Sequence, residues 1–534
     1  MLKITMLAII LGCFIPVVNA NQNKQLESKS DIKTKIVDKN RIVAITKEDF
    51  LTLKRILKAT GKKGWLKGKD KIQTNGVRCD SFTYMIKCDE AGHIISLELS
   101  SLHGSGSFPK EVLQLLHLKS LSIGDASFFS GPIPIDINRL KRLEYLSLRG
   151  TSIGKLPSAL FTMTQLKSLK VHNYSRLPGI KILPKQQPLS TIPGNIDRLV
   201  NLQTLEIWGD NFTGVIPDSI GQLAKLKKLS IRGTNIKGVL PSKIGALIQL
   251  QELVVENNPL IKGKIPRSFS KLTKLQMFSL RYNGISGSIT EIFSAMKELE
   301  VLYLNHNQFM GEFPDSIREL KRRLYSLNLS NNKLRGVIPR WIRTLNKLEF
   351  LTISNNQFTG SIPDTLYKLT QLKILDMGYN KLSGSIPSTI GQMRKLETLS
   401  FSHNHLAGQI PISVKSLGAL MTLNVSHNEI TGPIPVELFQ LGELTTINLS
   451  HNRLTGKFPV IVGGNEYYKR RGAVYGTWLT LNVSHNQLTG VLPRSIFKIK
   501  FFWNADFSNN RFKGKIPVTP KGMEVGKLNF ENQK

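Results

Sequence analysis

The sequence is short of cysteine, of acidic residues and of long apolar runs, and each shortage narrows what the chain can be. Three cysteines occur in 534 residues, Cys13, Cys79 and Cys88. They form no C-x-x-C pair, and the P-loop, G-x-S-x-G and H-E-x-x-H patterns are missing too. No catalytic role and no cofactor is expected. After residue 20 no apolar stretch reaches the roughly 20 residues that a membrane-spanning helix needs. Acid is scarce: 37 Asp and Glu face 73 Lys and Arg, a net charge of +36 with a pI near 10.0. Such a balance favours anionic partners, namely acidic polysaccharide, lipopolysaccharide or an anionic membrane surface. The plainer reading is a solvated lysine-rich outer face, as in QLAKLKKLS (222–230). Nucleic acid is not expected, because aromatics are not interleaved with basic residues in a stacking pattern.

What the sequence has in abundance is one phrase. Ile447–Pro459 reads INLSHNRLTGKFP, and near copies return at Leu375–Pro387, Leu399–Pro411, Leu423–Pro435 and Leu481–Pro493. A proline recurs from Pro109 to Pro517 at steps of 23 to 25 residues, with Thr290 replacing it once. Two steps are longer, Pro157 to Pro193 and Pro459 to Pro493. A period of this length predicts a solenoid. In each unit a short strand buries alternate residues. Leu444, Ile447, Leu449, Leu454 and Phe458 are expected inside. Asn452 can both donate and accept, so it can satisfy turn backbone that would otherwise be buried unpaired. Gly456 suits a backbone other residues tolerate poorly, and Pro459 ends one extended piece. Sixteen parallel strands can be placed between Leu121 and Phe507, an array roughly 75 Å long at about 4.8 Å per rung. The fold class is an α/β repeat solenoid with its parallel sheet on the concave face.

The wording N-x-L-x-G-x-I-P, as in NQFTGSIP (356–363) and NKLSGSIP (380–387), resembles the plant-type leucine-rich repeats. These occur in receptor-kinase ectodomains, receptor-like proteins and polygalacturonase inhibitors. Over about residues 48–530 the resemblance implies an extracellular recognition module, either receptor-like or inhibitor-like, with a protein or peptide partner. The segment before the repeats is similar to the N-terminal cap of that class. In EDFLTLKRILKAT (48–60), Phe50, Leu53, Ile56 and Leu57 share one helical face, with Thr46 as N-cap and Gly61 as stop. Trp65, GVRCD (76–80) and KCDEAGHIISLEL (87–99) follow, which places the cap at 48–100. Residues 1–20 read as a secretory signal, with Lys3, an apolar run and Val18-Asn19-Ala20 for cleavage; an alternative is a lipid on Cys13 in Ile10-Leu11-Gly12-Cys13. Residues 21–47 read as a flexible basic leader, 101–517 as the array and 518–534 as a tail. In an exported chain Cys79 and Cys88 are an even pair and are expected to form a disulfide. A metal site would need more ligands than nearby His93, and a reactive thiol is the other alternative.

Strand residues between the buried positions should face the concave surface. The C-terminal rungs repeat small polar sets, such as Thr398, Ser400, Ser402 and Thr422, Asn424, Ser426. The earlier rungs change from one to the next: Tyr145 and Arg149; Lys170 and His172; Glu206 and Trp208; Lys228 and Arg232; Glu252 and Glu256; Met277, Arg281 and Tyr282; Val301 and Tyr303. Exposed aromatics and Arg are enriched at binding hot spots. The binding face is therefore expected on Tyr145, Arg149, Lys170, His172, Trp208, Lys228, Arg232, Met277, Arg281, Tyr282 and Tyr303. Insertions near 172–189 and 460–476 add loops, the first beside the concave face. His306, His403, His427, His451 and His485 form a column, which is more readily a solvated edge than a metal site. Six N-x-S/T sequons occur, at Asn173, Asn211, Asn328, Asn424, Asn448 and Asn482, and four of the six would place glycan on the concave strands if used.

Overall fold

A computed structural model of the chain describes residues 43–59, 78–82, 85–99, 104–106, 108–124, 127–129, 132–149, 153–173, 189–289, 291–461, 479–498, 502–515, 517–518 and 525–533. The signal, most of the leader, Trp65 and the bodies of both insertions lie outside them.

The main sheet has 19 strands. All sixteen expected strands are present. The three additional ones are Ile86–Cys88 and Ile94–Glu98 in the cap and Val525–Asn529 in the tail. The cap pair is antiparallel; every later pairing in this sheet is parallel, with one register shift between Leu479 and Thr480, and one column of side chains runs Leu205, Leu229, Leu253, Phe278, Leu302 and onward. A slip of one residue would turn the whole apolar set of a strand outward, which is why the leucine spacing fixes the register. The five residues expected inside the unit at 444–458 are all buried. A second parallel sheet of eight strands, from Gly238–Val239 to His405–Ala407, runs along one flank. It is the extended piece between the Asn and the Pro, and its strands carry glycines such as Gly384 at φ 83°. The prolines open single 3-10 turns on the convex side. Pro217, for example, accepts from the Ile220 N–H at the start of Asp218–Gln222.

Asparagine does what the sequence suggests, and does it on consecutive rungs. Asn404 donates through Nδ2 to the carbonyls of Met377, Phe401 and Ser402 at 3.0–3.1 Å. Its Oδ1 accepts the Leu382 N–H at 2.9 Å. The tail closes this ladder with a glutamine. Gln533 Nε2 donates to Phe507, Phe530 and Glu531, and its Oε1 accepts from Phe512.

The cap helix, α1, spans Lys47–Ala59, and Phe50, Leu53, Ile56 and Leu57 are buried beneath it. Thr46 Oγ1 accepts the Asp49 N–H at 3.2 Å, a conventional N-cap. Residues 43–46, expected in the flexible leader, instead belong to the cap: Ile45 is buried and Ala44 bridges Arg78. Cys79 and Cys88 are joined in a disulfide.

Several buried polar atoms have no hydrogen-bond partner among the described residues, the Tyr367 hydroxyl among them. Tyr367, 0% exposed on the turn Asp364–Lys368, has an unpaired hydroxyl, and burial pushes its pKa up. Tyr367→Phe removes a desolvated group with no bond to lose. We expect it to be neutral or to stabilise by up to about 1 kcal/mol in urea unfolding; a loss of that size would instead reveal a buried water holding the phenol.

Candidate functional site on the concave face

Five adjacent strands, Ser168–His172, Thr204–Trp208, Lys228–Arg232, Glu252–Glu256 and Met277–Ser279, carry the varied positions. Their register aligns His172, Trp208 and Arg232 across three rungs. Lys170, Glu206 and Ser230 align in the column two residues earlier. The alignment builds one polar network around two buried carboxylates.

Glu206 is 4% exposed. Its Oε1 lies 3.5 Å from Lys170 Nζ and 3.3 Å from Lys228 Nζ, and its Oε2 lies 4.0 Å from His172 Nε2. Burial pushes this carboxyl up, but His172 and the charges of Lys170 and Lys228 outweigh it and hold the pKa at about 2. Lys228 also reaches Glu252 at 2.9 Å. Burial lowers its ammonium pKa, and Glu252 with Glu206 raises it by more. Glu256, 1% exposed, pairs with Arg281 at 3.0 Å and Arg232 at 3.5 Å and accepts from the Ser279 hydroxyl.

Trp208 joins the two halves. His172 stacks on one face with centroids 4.1 Å apart and planes 10° from parallel. The Arg232 guanidinium covers the other at 4.9 Å, and Nε1 donates to Ser230 Oγ at 3.0 Å. The indole is thus clamped, and what it offers a partner is its edge.

The eleven expected residues divide accordingly. Lys170, His172, Trp208, Lys228, Arg232 and Arg281 are brought together. His172 is buried, contrary to its expected exposure, because it is stacked under the indole. Tyr145 stands one rung away and is 47% exposed, with half-buried Arg149 at the end of the same strand. Met277 is half-buried at a strand start. Tyr303 Oη is 3.0 Å from Ser326 Oγ, and burial raises its pKa. Tyr282 sits past its strand, at φ 58°, stacked on His306 at 4.0 Å. Glu206 and Glu256 organise the network and were not among the eleven. The available signal was two acids at strand positions of a lysine-rich chain.

The C-terminal concave face differs in kind. Ser402, Ser426, Ser450 and Ser484, expected to face the concave surface, are buried, because the chain turns inward there. Asn424 Oδ1 accepts both the Ser426 N–H and its hydroxyl, and Asn328, Asn448 and Asn482 do the same two residues on. Asp376 and Asp506 hold the same place and accept from Gly378 and Ser508. On these rungs the acceptor oxygen serves the turn, while Tyr303 and Thr352 hold the same place on neighbouring rungs. The other two sequon residues are buried, with Asn173 Nδ2 donated to Gly154 and Asn211 Nδ2 to Asn173.

Among the described residues no three His, Cys, Asp or Glu gather to hold a metal ion. No described helix is long and apolar enough to cross a membrane.

A rigid parallel solenoid with a varied concave face defines a class, and comparison with known proteins places the chain within it. Residues 182–359 match the leucine-rich repeat region family, and 371–393, 395–417, 419–441, 443–465 and 478–499 match the leucine rich repeat family. The structure resembles that of the plant peptide hormone receptor RGFR1 in complex with RGF2, at 30% identity and TM-score 0.69, covering 84% of this chain and 71% of that one. It also resembles a TDR receptor, at 28% identity and TM-score 0.71, covering 82% and 72%. Receptor-like protein 7 of Arabidopsis thaliana is 29% identical over 114 residues, 21% of this chain and 11% of that protein. The match therefore spans about a tenth of that curated relative. The chain belongs to the plant-type leucine-rich repeat proteins.

Proposed function

We propose that the chain is an exported, non-enzymatic recognition module that binds a protein or peptide partner through the concave face of the rungs from Tyr145 to Tyr303. The observation that carries this is the clamped network on Glu206 and Glu256. It holds Trp208, Lys170 and Lys228 in fixed positions, so little side-chain entropy is left to lose on binding. The likeness to a solved peptide hormone receptor complex supports the same reading. Basic groups outnumber acids along the network, so the partner presents carboxylates beside an apolar group that meets Tyr145 and the Trp208 edge. The test is selection from a displayed peptide library, followed by titration against Tyr145→Ala and Lys170→Ala. Both positions are partly exposed, so their loss should leave the fold intact. The selected peptides should lose about tenfold or more in affinity with either variant. Peptides that ignore both changes, or a selection that enriches nothing, would remove this face as the site. Mass analysis of the protein from its own host should give a chain beginning at Asn21.

The charge of +36 favours a second reading, a surface adhesin for anionic glycan or lipopolysaccharide. Binding that falls steeply with salt would favour it.

A further inference from the structure

The column just past each strand, from Asn257 to Asn509, holds a left-handed backbone with φ between 52° and 58°. Asparagine tolerates that conformation well. It fills the column at Asn257, Asn331, Asn355 and Asn509. On four consecutive rungs the residue is instead histidine: His403, His427, His451 and His485. The backbone therefore does not require histidine there. The four rings stack face to face at 3.9–4.0 Å, within 13° of parallel, and Tyr379 covers the first at 3.9 Å. Stacked rings cannot aim their in-plane lone pairs at one ion between them, which argues against a shared metal. Their faces are occupied by one another, so they cannot stack on nucleobases either. What reaches solvent is a row of ring edges.

We infer that this imidazole stack is an acid-gated docking edge for a linear, carboxylate-bearing glycan. Each ring that takes a proton becomes a cation with N–H donors at its edge, about 4 Å from the next. Among the described residues none of the four is in an ion pair with a carboxylate of the chain. Asp506 acts on His451 from the C-terminal side, and Asp376 lies on the rung of Tyr379. The column two residues on carries Lys381, His405, Glu429, Arg453, Gln487 and Arg511, exposed except at half-buried Glu429 and Gln487. Its one carboxylate, Glu429, is engaged by His405 at 3.8 Å and Arg453 at 3.1 Å. In acid the row is thus short of internal counter-ions and flanked by further cations. Burial lowers the proton affinity of His403, His427 and His451, and neighbouring rings oppose each other's charge, so these three take up protons in coupled steps. An external row of carboxylates supplies the missing anions and raises that affinity by linkage.

The test is binding of polygalacturonate, at about pH 5 and about pH 7.5, to the wild-type chain and to the quadruple variant His403→Asn, His427→Asn, His451→Asn, His485→Asn. Asparagine is the chain's own alternative in this column, and His427→Asn alone serves if the quadruple variant does not fold. The wild type should bind about tenfold tighter at the lower pH, while the quadruple variant keeps its neutral-pH affinity and most of that gain disappears. Equal pH dependence in both proteins overturns the inference. So does an equal histidine-dependent gain for single-stranded DNA, which would make the edge a general polyanion site. Imidazole NMR titration should show the stack's midpoint moving up when polygalacturonate is added to the wild type; an unmoved midpoint also overturns it.

Discussion

Asn428→Ala should destabilise the middle of the solenoid by about 3 kcal/mol, although the change removes one small side chain. Asn428 Nδ2 donates to the carbonyls of Phe401, Val425 and Ser426, and Oδ1 accepts the Leu406 N–H at 2.9 Å. The three carbonyls keep other donors: Asn404 on Phe401, Asn452 on Val425 and the His403 N–H on Ser426. The Leu406 N–H loses the acceptor it had, in a site too buried for water to replace it readily. The cost is therefore one orphaned donor, about 1–3 kcal/mol, plus the net value of the bonds removed. Asn428→Asp should be worse at neutral pH. A carboxylate there faces three carbonyl oxygens with no proton to give, and its deficit should shrink as acid protonates it. Urea unfolding measures both, and amide exchange should show the loss concentrated on the rungs beside 428, because each repeat leans on its neighbours. An alanine variant within about 0.5 kcal/mol of wild type would mean that the ladder is decorative.

The same reasoning explains what could be read in advance. Asn, Gly and Pro recur because each answers a backbone demand that every rung makes, so one sequence period exposes all of them. The tail strand was legible by that rule, since Leu528, Phe530 and Gln533 repeat the spacing of Leu481, Val483 and Asn486. Residues 518–534 nevertheless read as a tail, because glutamine stands where the repeat has asparagine. In the cap hairpin, Leu97 and Leu99 repeat the spacing of Leu121 and Ile123, but the strand Ile86–Cys88 lies outside the repeat phrase. The candidate site was legible only in part. Strand alternation placed Trp208, Lys228 and Arg232 on the concave side, but their exposure depends on side chains one rung away, 24 residues on at Arg232 and 36 residues back at His172 for Trp208. Only the register decides that His172 and Arg232 meet the same indole. The small polar sets further on were read one residue too far for a related reason: Ser402 and its equivalents lie where the strand has already turned.

Acid should weaken the fold through Glu206 in a defined window, and Glu206→Gln should remove that component. The carboxyl is held at about 2 against an ordinary value of 4.5. A carboxyl with a lowered folded-state pKa stabilises the fold when ionised in both states. Its contribution is therefore complete above the unfolded value and declines as the pH falls from about 5 towards about 2. The displacement corresponds to about 3 kcal/mol. That figure applies to a nearly fully buried group, where solvent screening is small, rather than to the exposed pairs such as Lys297 with Glu319. Glu206→Gln keeps the shape and removes the charge, leaving Lys170 and Lys228 facing a neutral amide. At neutral pH the variant should be less stable by about 2–3 kcal/mol. The gap should close as the wild type is titrated, until the two denaturation curves meet near the bottom of the window. Because Lys170 loses its carboxylate partner while Lys228 keeps Glu252, the variant should also change peptide binding at neutral pH, which ties the stability of this patch to its proposed role. A pH-independent gap would show that the network is held by packing on Trp208, with the charge on Glu206 incidental to it.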